Sequence, residues 1–452
     1  MRPTMSGADL PEEDAAAPTP VSAWYALAIL ILTTIFAFVD RQILNLVFPS
    51  LQQSLQLSDL QLGALQGLGM AIFASAASYP MGWLADRYGR RLILVAGIII
   101  WSLATAACAY QTSFMGLFIA TIGIAVGEAG LMPIIFAMIP DIFRTRHRST
   151  ANFIYFAATI LGGAVGVMLG GGAIGWLTAN ASALPAPLAS LEAWRAAILI
   201  VALPAPIFIL LVATLPVGQS TAGAKEATGT AEASAGVTML PFIRAHRTTF
   251  ACIFGGIFGY CLPLSAAYGW LPLAAFRAFG LPPETAGVQM GTAMAVASVV
   301  GVTLPGVTLK FMGGDPVQRP LRIAKAFLLL AIVPSLLLPF VPSSWAMFVT
   351  AACQLTMLIG VAALMPGIVQ DLSPDALRSR ILSFVGIVLA IGHAASPLFV
   401  GALSGLVTGD RGVLISLSSA GMLGIAISLL CFGLAPKPLA RTIAEVRPRA
   451  AD

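Results

Sequence analysis

The chain has 452 residues, of which 58% are hydrophobic and only 10% are charged, and its mean hydropathy is +0.92. So little charge excludes a soluble domain of this size, and the net charge of +5 is a sum over loops that does not indicate nucleic acid. The five cysteines all lie in apolar runs without metal-ligand spacing, so neither a disulfide framework nor a metal site is predicted.

Apolar runs of about 20 residues recur along the chain, and each has the length that a transmembrane helix needs. The runs are continuous rather than alternating, which excludes a membrane β-barrel. The predicted fold class is therefore an all-α membrane protein with twelve transmembrane helices in two pseudo-symmetric six-helix bundles. In chain order the predicted spans are 23–48, 58–84, 91–110, 114–139, 148–178, 194–215, 247–276, 284–310, 321–341, 345–369, 377–405 and 411–434.

The segments between and beyond the spans divide the chain. The N-terminal segment is acidic and rich in Pro and Ala, which is typical of disorder, and the stretch between spans six and seven is rich in Ala, Gly, Ser and Thr, which is typical of a flexible linker. The predicted organisation is a disordered cytoplasmic tail 1–22, a first bundle 23–215, a cytoplasmic linker 216–243, a second bundle 244–434 and a cytoplasmic tail 435–452.

Basic residues collect on one side of the predicted membrane. Lys and Arg mark cytoplasmic loops, so their distribution predicts that both termini are cytoplasmic. The predicted cytoplasmic set includes Arg144, Arg146, Arg148, Lys310, Arg319, Arg322, Lys325, Arg378, Arg380, Lys437, Arg441, Arg447 and Arg449, whereas the outer loops keep Arg195, Arg277 and Arg411.

The turn at 82–91 concentrates four charges between spans two and three, in the pattern G-x-L-A-D-R-x-G-R-R. It resembles the loop between the second and third helices of major facilitator superfamily transporters; the alternative is a generic basic cytoplasmic loop. A weaker copy at 314–319 between spans eight and nine indicates an internal repeat, unless that loop is charged by accident. The resemblance implies a cytoplasmic gate against the start of span eleven, made of Gly82, Asp86, Arg87, Gly89, Arg90, Arg91, Asp315, Arg319, Arg378 and Arg380.

Ionisable residues inside the spans are few: Asp40 and Arg41 in span one, Glu128 in span four and His393 in span eleven. Such residues are costly in a membrane, so a functional role is the default hypothesis. Adjacent helical residues point about 100° apart, so Arg41 can reach a carboxylate on a neighbouring helix while Asp40 faces a cavity. Asp40 and Glu128 are the predicted proton-coupling acids. The alternatives are a structural ion pair, a packing hydrogen bond at Glu128 and a satisfied interior histidine at His393.

Four further stretches resemble one particular branch of the superfamily. They are F-V-D-R-Q-I-L at 38–44, L-S-D-L-Q-L-G at 57–63, W-S-L-A-T at 101–105 and G-E-A at 127–129. They look like the spinster-like branch of the superfamily, closely over spans one to five and loosely afterwards. That resemblance implies proton-coupled export of a lysophospholipid or a sphingosine-phosphate-like lipid. It also maps the first-span acid and arginine to Asp40 and Arg41 and the fourth-span acid to Glu128. The family usually has Arg where this chain has Thr121.

Polar and aromatic residues of the spans provide the remaining candidates for a binding cavity. An apolar wall with a few polar anchors suits a lipid or an aromatic acid, although each aromatic is also explained by packing. The predicted substrate-binding residues are Arg41, Glu128, Asn152, Tyr155, Phe254, Tyr260, Tyr268 and His393.

The sequence thus predicts a monomeric secondary transporter of a bacterial inner membrane, which moves an amphipathic anionic lipid by proton-coupled alternating access. Two alternatives stay open: a proton symporter for a sugar acid or aromatic carboxylate, and a membrane sensor that binds without transporting. No enzymatic constellation is found outside the spans, and no cofactor or nucleic-acid partner is expected.

Overall fold

The computed structural model describes residues 20–446, with the exception of 144, 181, 183–184, 216–238, 314, 316–317, 375–376 and 408. Every regular element in this part of the chain is a helix. Twelve of the described helices are long and apolar enough to cross a membrane, which confirms the predicted fold class and the number of spans. Most of the predicted tail 1–22 and linker 216–243 lies outside the described residues, as do Arg144, Arg447 and Arg449.

The spans are numbered one to twelve along the chain. They run over Val21–Leu46, Asp59–Tyr88, Arg90–Cys108, Phe114–Ile142, Thr150–Ala179, Ala193–Ala213, Arg247–Phe279, Pro283–Phe311, Arg319–Phe340, Ser344–Leu372, Arg380–Leu406 and Gly412–Leu434. Shorter helices cover Phe48–Leu55, Ala186–Ala189, Met239–Ala245 and Pro436–Val446. Two segments predicted as a linker and a tail are therefore partly helical.

The helix ends follow local sequence chemistry. Ser58 begins span two with a capping box, in which the Gln61 N–H donates to Ser58 Oγ (3.2 Å) and the Ser58 N–H donates to Gln61 Oε1 (2.8 Å). At the other end of that span, Gly89 ends the helix with a φ of +101°, a conformation that glycine adopts without steric cost. This turn sets span three antiparallel to span two.

Span two contains a π-helical segment, Leu65–Ile72, between two α-helical segments. Such segments displace the side chains that follow them and are frequent at functional sites. Leu65, Gln66, Met70 and Ala71 from this segment face the space between the two halves of the protein.

The two halves, spans one to six and spans seven to twelve, contact each other through spans two with eleven and five with eight. Glycines allow this approach, because a Cβ added at Gly171 would lie 2.9 Å from the Gly287 Cα and 3.0 Å from the Glu284 oxygen. These contacts lie at the predicted outer end, whereas the inner part of span two has few contacts with span eleven. The described structure is therefore closed at the predicted outer end.

The helix Pro436–Val446 packs on the predicted cytoplasmic end of the second half. Leu439 is fully buried, and Thr442 Oγ1 lies 2.9 Å from Thr249 Oγ1 on span seven. His246 Nε2 lies 3.6 Å from a Glu445 carboxylate oxygen. Part of the predicted cytoplasmic tail is thus a folded element of the second bundle.

Candidate functional site

A cavity of about 1110 Å³ lies between the two halves. Spans one, two, four and five line it from the first half, and spans seven, eight, ten and eleven line it from the second. Its walls are mostly apolar, and Arg41 is the only Lys, Arg, Asp or Glu side chain among the described residues that line it. The volume is that of a site for a substantial organic molecule.

The polar lining is unevenly distributed between the halves. The first half contributes seven polar residues and the second half contributes three, all from spans seven and eleven: Arg41, Gln42, Asn45, Gln66, Ser75, Thr121 and Thr159, and Ser265, Tyr268 and His393. Spans eight and ten contribute only apolar residues and proline. The apolar lining from these two spans is Val302, Ile359, Ala362, Ala363 and Pro366. A molecule with one anionic end and one apolar end matches this asymmetry.

Arg41 joins span one to span four. Its Nε donates to Glu128 Oε2 at 2.9 Å, and its NH2 group donates to the same oxygen. The Arg41 side chain is 44% exposed, whereas that of Glu128 is 2% exposed. Arg41 therefore bridges to a carboxylate on a neighbouring helix, as the sequence predicts, and it also faces the cavity.

Asp40 does not face the cavity, and that expectation is corrected. The residue is fully buried and lies near Trp101 of span three and Glu128 of span four. The Trp101 side chain interacts with the Asp40 carboxyl, but neither carboxyl oxygen makes a hydrogen bond of normal geometry with a described residue. Thr105 Oγ1 also has no hydrogen-bond partner among the described residues. The reason is helical geometry: once Arg41 points at the cavity, the preceding residue points into the contact with span three.

A chain of amides follows Arg41 along the cavity. Asn45 Nδ2 donates to Gln42 Oε1 at 2.7 Å, and Gln66 Nε2 donates to Asn45 Oδ1 at 3.0 Å. Gln66 Nε2 also donates to the Gly269 oxygen at 3.1 Å, which links span two to span seven. The chain offers several hydrogen-bonding groups beside the single cation. None of these three amides was among the predicted binding residues, although Asn45 lies one turn after Arg41 on the same face of span one.

Five of the predicted substrate-binding residues do not line the cavity, and one of them is Glu128, which is buried behind Arg41. Tyr155 is fully buried between spans, where its hydroxyl lies 3.0 Å from Thr34 Oγ1. Asn152 Nδ2 donates to the oxygen of Arg148 in its own helix, at 3.0 Å. Phe254 packs on Phe250 and Phe384, and Tyr260 is buried in the core of the second half. Their helices turn these faces towards neighbouring spans.

Tyr268 and His393 do line the cavity, from spans seven and eleven. His393 Nδ1 lies 2.7 Å from the Leu389 oxygen and 3.4 Å from Cys261 Sγ. One ring nitrogen is therefore already engaged within span eleven and with span seven. No group of three or more His, Cys, Asp or Glu residues with metal-binding geometry occurs in the described part of the chain.

A family model described as "Major Facilitator Superfamily" matches residues 30–397, which is most of the chain. The chain belongs to the Major Facilitator Superfamily. Its members are transporters rather than enzymes, and this protein is accordingly an integral, multi-pass membrane protein of a transporter family.

Several relatives within the superfamily are similar to this chain. An "MFS-type efflux pump" of Mycolicibacterium smegmatis is 24% identical over 94% of this chain and 95% of its own length. A "Hexuronate transporter" of Bacillus subtilis is 32% identical over 30% of this chain and 32% of its own length. "Protein spinster homolog 1" of Xenopus laevis is 30% identical over 31% of this chain and 27% of its own length. This chain thus aligns with only about a third and a quarter of the length of the last two relatives.

The fold is also similar to a solved structure. A bacterial homologue of the human lysosomal transporter spinster, in an inward-facing and unoccupied conformation, matches with a TM-score of 0.76 and 20% identity. The match covers 96% of this chain and 100% of that chain. The predicted resemblance to the superfamily and to its spinster-like branch is confirmed.

The superfamily motif at the predicted cytoplasmic end contacts its own half in this conformation. Arg90 forms an ion pair with Asp141 of span four and donates from NH1 to the Ala137 oxygen at 2.7 Å. Asp86 lies 3.6 Å from Arg90, and its side chain is 72% exposed. The predicted contact of Asp86 with span eleven would form only when the cytoplasmic end closes, so it stays a prediction.

The other predicted gate residues also lie at the predicted cytoplasmic end. Arg87 stacks on the Trp83 and Tyr88 rings, and Arg91 NH1 donates to the Leu215 oxygen at 3.2 Å. The remaining residues have these places: Gly82 lies in the last turns of span two, Gly89 in the turn, Asp315 is exposed, Arg319 begins span nine, and Arg378 and Arg380 begin the helix of span eleven.

At the predicted outer end, an ion pair that was not predicted from the sequence joins the two halves of the protein. Asp59, at the start of span two, accepts two hydrogen bonds from Arg277, at the end of span seven. The sequence signal was present, because Asp59 lies in one of the quoted motifs and Arg277 is one of three outer cations. Nothing local indicated that the two side chains meet.

Proposed function

We propose that this chain is a secondary active transporter for an amphipathic anionic lipid of the lysophospholipid or sphingosine-phosphate type. The observation that carries the proposal is that Arg41 is the only Lys or Arg among the described residues that line a large and mostly apolar cavity. A membrane-embedded cation is best offset by an anion, and the apolar wall suits an acyl chain. Similarity to a "Sphingosine-1-phosphate transporter" of Danio rerio, which is 28% identical over 32% of this chain, supports the same class of cargo.

Proton coupling is part of the proposal and rests on two buried acids. Glu128 shares Arg41 with whatever anion occupies the cavity, because the guanidinium is exposed on one side and bound to Glu128 on the other. When a cargo anion draws Arg41 away, Glu128 is left as a buried, uncompensated carboxylate, which is costly unless it takes up a proton. Asp40, which is fully buried behind the Arg41–Glu128 pair, is the second proton-site candidate.

The proposed location is a bacterial inner membrane with both termini in the cytoplasm. Among the described residues, Arg87, Arg90, Arg91, Arg244 and Lys437 lie at the end of the bundle that the positive-inside rule places in the cytoplasm. The cavity then opens to the cytoplasm in this conformation. Loading of cargo from the inside, as an exporter requires, is consistent with that geometry.

A second candidate cargo is a hydroxylated organic acid, such as a sugar acid. The amide chain of Gln42, Asn45 and Gln66 beside Arg41 favours it, since amides can bind several hydroxyl groups at once. The hexuronate transporter among the relatives supports the same alternative.

Proteoliposomes distinguish these cargoes. The purified protein would be reconstituted, and uptake of radiolabelled 1-oleoyl lysophosphatidate would be compared with uptake of galactonate, each with and without a pH gradient. We expect lysophosphatidate transport that depends on the gradient and is lost in Arg41→Ala. A matched control is Tyr155→Phe, which alters a buried polar residue outside the cavity.

Three other outcomes would contradict the proposal. Transport of galactonate alone would select the hydroxylated acid. Binding of either compound without counterflow would indicate a sensor. Transport that is indifferent to the pH gradient would remove the proton coupling and leave the cargo assignment in place.

A further inference from the structure

We propose that Asp59 and Arg277, with Gln52 and Ser404, form a latch that holds the predicted outer end of the transporter closed. The inference concerns the gating cycle of the proposed function, and none of the four residues was predicted from the sequence to act in it. The latch residues come from both halves: the first contributes Gln52 and Asp59, and the second contributes Arg277 and Ser404.

The carboxylate of Asp59 is fully engaged. Arg277 NH1 donates to Asp59 Oδ2 at 2.8 Å, and Arg277 NH2 donates to Asp59 Oδ1. Gln52 Nε2 donates to Oδ1 at 2.7 Å, and Ser404 Oγ donates to Oδ2 at 2.8 Å. A two-pronged Arg–carboxylate pair with further donors is among the stronger polar contacts in proteins.

Arg277 is held from two sides as well. Besides Asp59, its NH2 group donates to Gln52 Oε1 at 2.8 Å. The side chains of Asp59 and Arg277 are 7% and 24% exposed, so water screens this pair only weakly. Three spans, two, seven and eleven, are thereby joined at one point.

Close backbone packing surrounds the latch. Span two presents Gly63 and Gly67 to the carbonyl groups of Pro397 and Ala394 on span eleven, and a Cβ added at either glycine would collide with them. Gly401 of span eleven approaches the Asp59 oxygen in the same way. The backbones of the two halves therefore approach closely at these glycines, and the outer end cannot open while Asp59 and Arg277 stay paired.

A second contact connects the latch to the cavity. Gln66, two turns below Asp59, donates to the Gly269 oxygen of span seven at 3.1 Å and to Asn45 of the cavity wall at 3.0 Å. Cargo that competes for the amides would weaken the hydrogen bond between Gln66 and Gly269 before the Asp59–Arg277 ion pair breaks. Spans two and seven would then separate in two steps, first at Gln66 and afterwards at Asp59.

The latch is also reversible on physical grounds. Removing one member of a nearly buried pair leaves the other charge uncompensated, which strongly disfavours the closed state. Opening the outer end admits water, which hydrates both ions at the same time. The pair thus stabilises the closed state without making the open state inaccessible.

The experiment is a double-mutant cycle read by double electron–electron resonance. Spin labels would be placed at Gln53→Cys and Asp410→Cys, exposed positions at the outer end of the two halves, in the full chain without its native cysteines. The variants are Asp59→Asn, Arg277→Gln and their combination. Arg195→Gln is the matched control, since this outer cation bonds to Ala109 and Gln111 of its own half.

We expect each single variant to raise the ratio of the long-distance, outward-open population to the closed population about tenfold or more. The double variant should add little to the larger single effect, because both changes remove the same interaction. Ser404→Ala, which removes one donor, should give a smaller shift of about threefold to tenfold in the same direction. Arg195→Gln should leave the distribution unchanged.

Unchanged distances in Asp59→Asn and Arg277→Gln would overturn the latch, and so would fully additive effects in the double variant. A variant that fails to elute as a single species is replaced by Ser404→Ala, whose unchanged distribution would overturn the latch equally. The readout needs no cargo. Failure of the lipid or proton assignment therefore appears in the liposome assay, while failure of the latch appears only in these distances.

Discussion

Arg41 of span one donates two hydrogen bonds to a single oxygen of Glu128 on span four, one of them from Nε at 2.9 Å. The arrangement leaves Glu128 Oε1 buried without a partner among the described residues and keeps the far side of the guanidinium in the cavity. One cation thus serves a buried acid and the cavity at once. Competition between the two is the simplest physical link between cargo and protons.

The first prediction concerns that link. Asp40→Asn and Glu128→Gln should each abolish the pH-dependent change in conformation while the protein stays folded, because an amide cannot take up the proton. The measurement is the distance between labels at Gln53→Cys and Asp410→Cys as a function of pH. Glu445→Gln, on the helix that packs under the second half, is the control and should keep the response. A pH response in the Asp40→Asn and Glu128→Gln double variant would place the proton site elsewhere.

The second prediction concerns the cargo anion. Arg41→Ala should weaken binding of 1-oleoyl lysophosphatidate by about tenfold or more, because a hydrogen bond to a charged group contributes about 1.5–3 kcal/mol. Binding of neutral monoolein, which has the same acyl chain, should change much less. Isothermal titration calorimetry in detergent gives both affinities, and Arg41→Lys serves as the control that keeps the charge. Equal losses for the two lipids would mean that Arg41 is structural.

The third prediction concerns the inner gate. Asp86 is largely exposed in this conformation, so its predicted contacts with the start of span eleven would form only when the cytoplasmic end closes. Asp86→Asn should move the population several-fold towards the inward-open state, since a few contacts of about 1 kcal/mol each are lost from the other state. Transport should fall more than cargo affinity.

Labels at Tyr88→Cys and Ser383→Cys, exposed positions near the cytoplasmic ends of spans two and eleven, report this shift. Asp141→Asn is the matched control, because it breaks the Arg90 pair within the first half and should leave the distances unchanged. If Asp86→Asn also leaves them unchanged, the motif is a signal for topology alone.

The fourth prediction separates packing from binding. Tyr155→Phe removes the 3.0 Å hydrogen bond to Thr34 and should cost about 1 kcal/mol of stability, seen as a lower Tm in detergent. Cargo affinity should be unaffected, because Tyr155 does not line the cavity. Tyr268→Phe, in the cavity wall, should show the opposite pattern. If Tyr155→Phe lowers cargo affinity without lowering the Tm, Tyr155 is a binding residue after all.

The sequence by itself determined the twelve spans, the fold class and the ionisable residues worth testing. Hydropathy is a property of short segments, so the length of each apolar run predicts a membrane helix without knowledge of its neighbours. The cost of burying charge is local in the same sense, which is why Arg41 and Glu128 could be singled out and why a bridge from Arg41 to a neighbouring helix could be expected.

Only the tertiary structure decided which faces of those helices meet. It turned Asp40 towards span three, and it buried Tyr155 and Tyr260 in packing contacts away from the cavity. It also brought Asp59 to Arg277 across 218 residues of chain. Helix rotation and the approach of one half to the other depend on the sum of many weak contacts between distant segments, and no periodicity within a single segment records that sum.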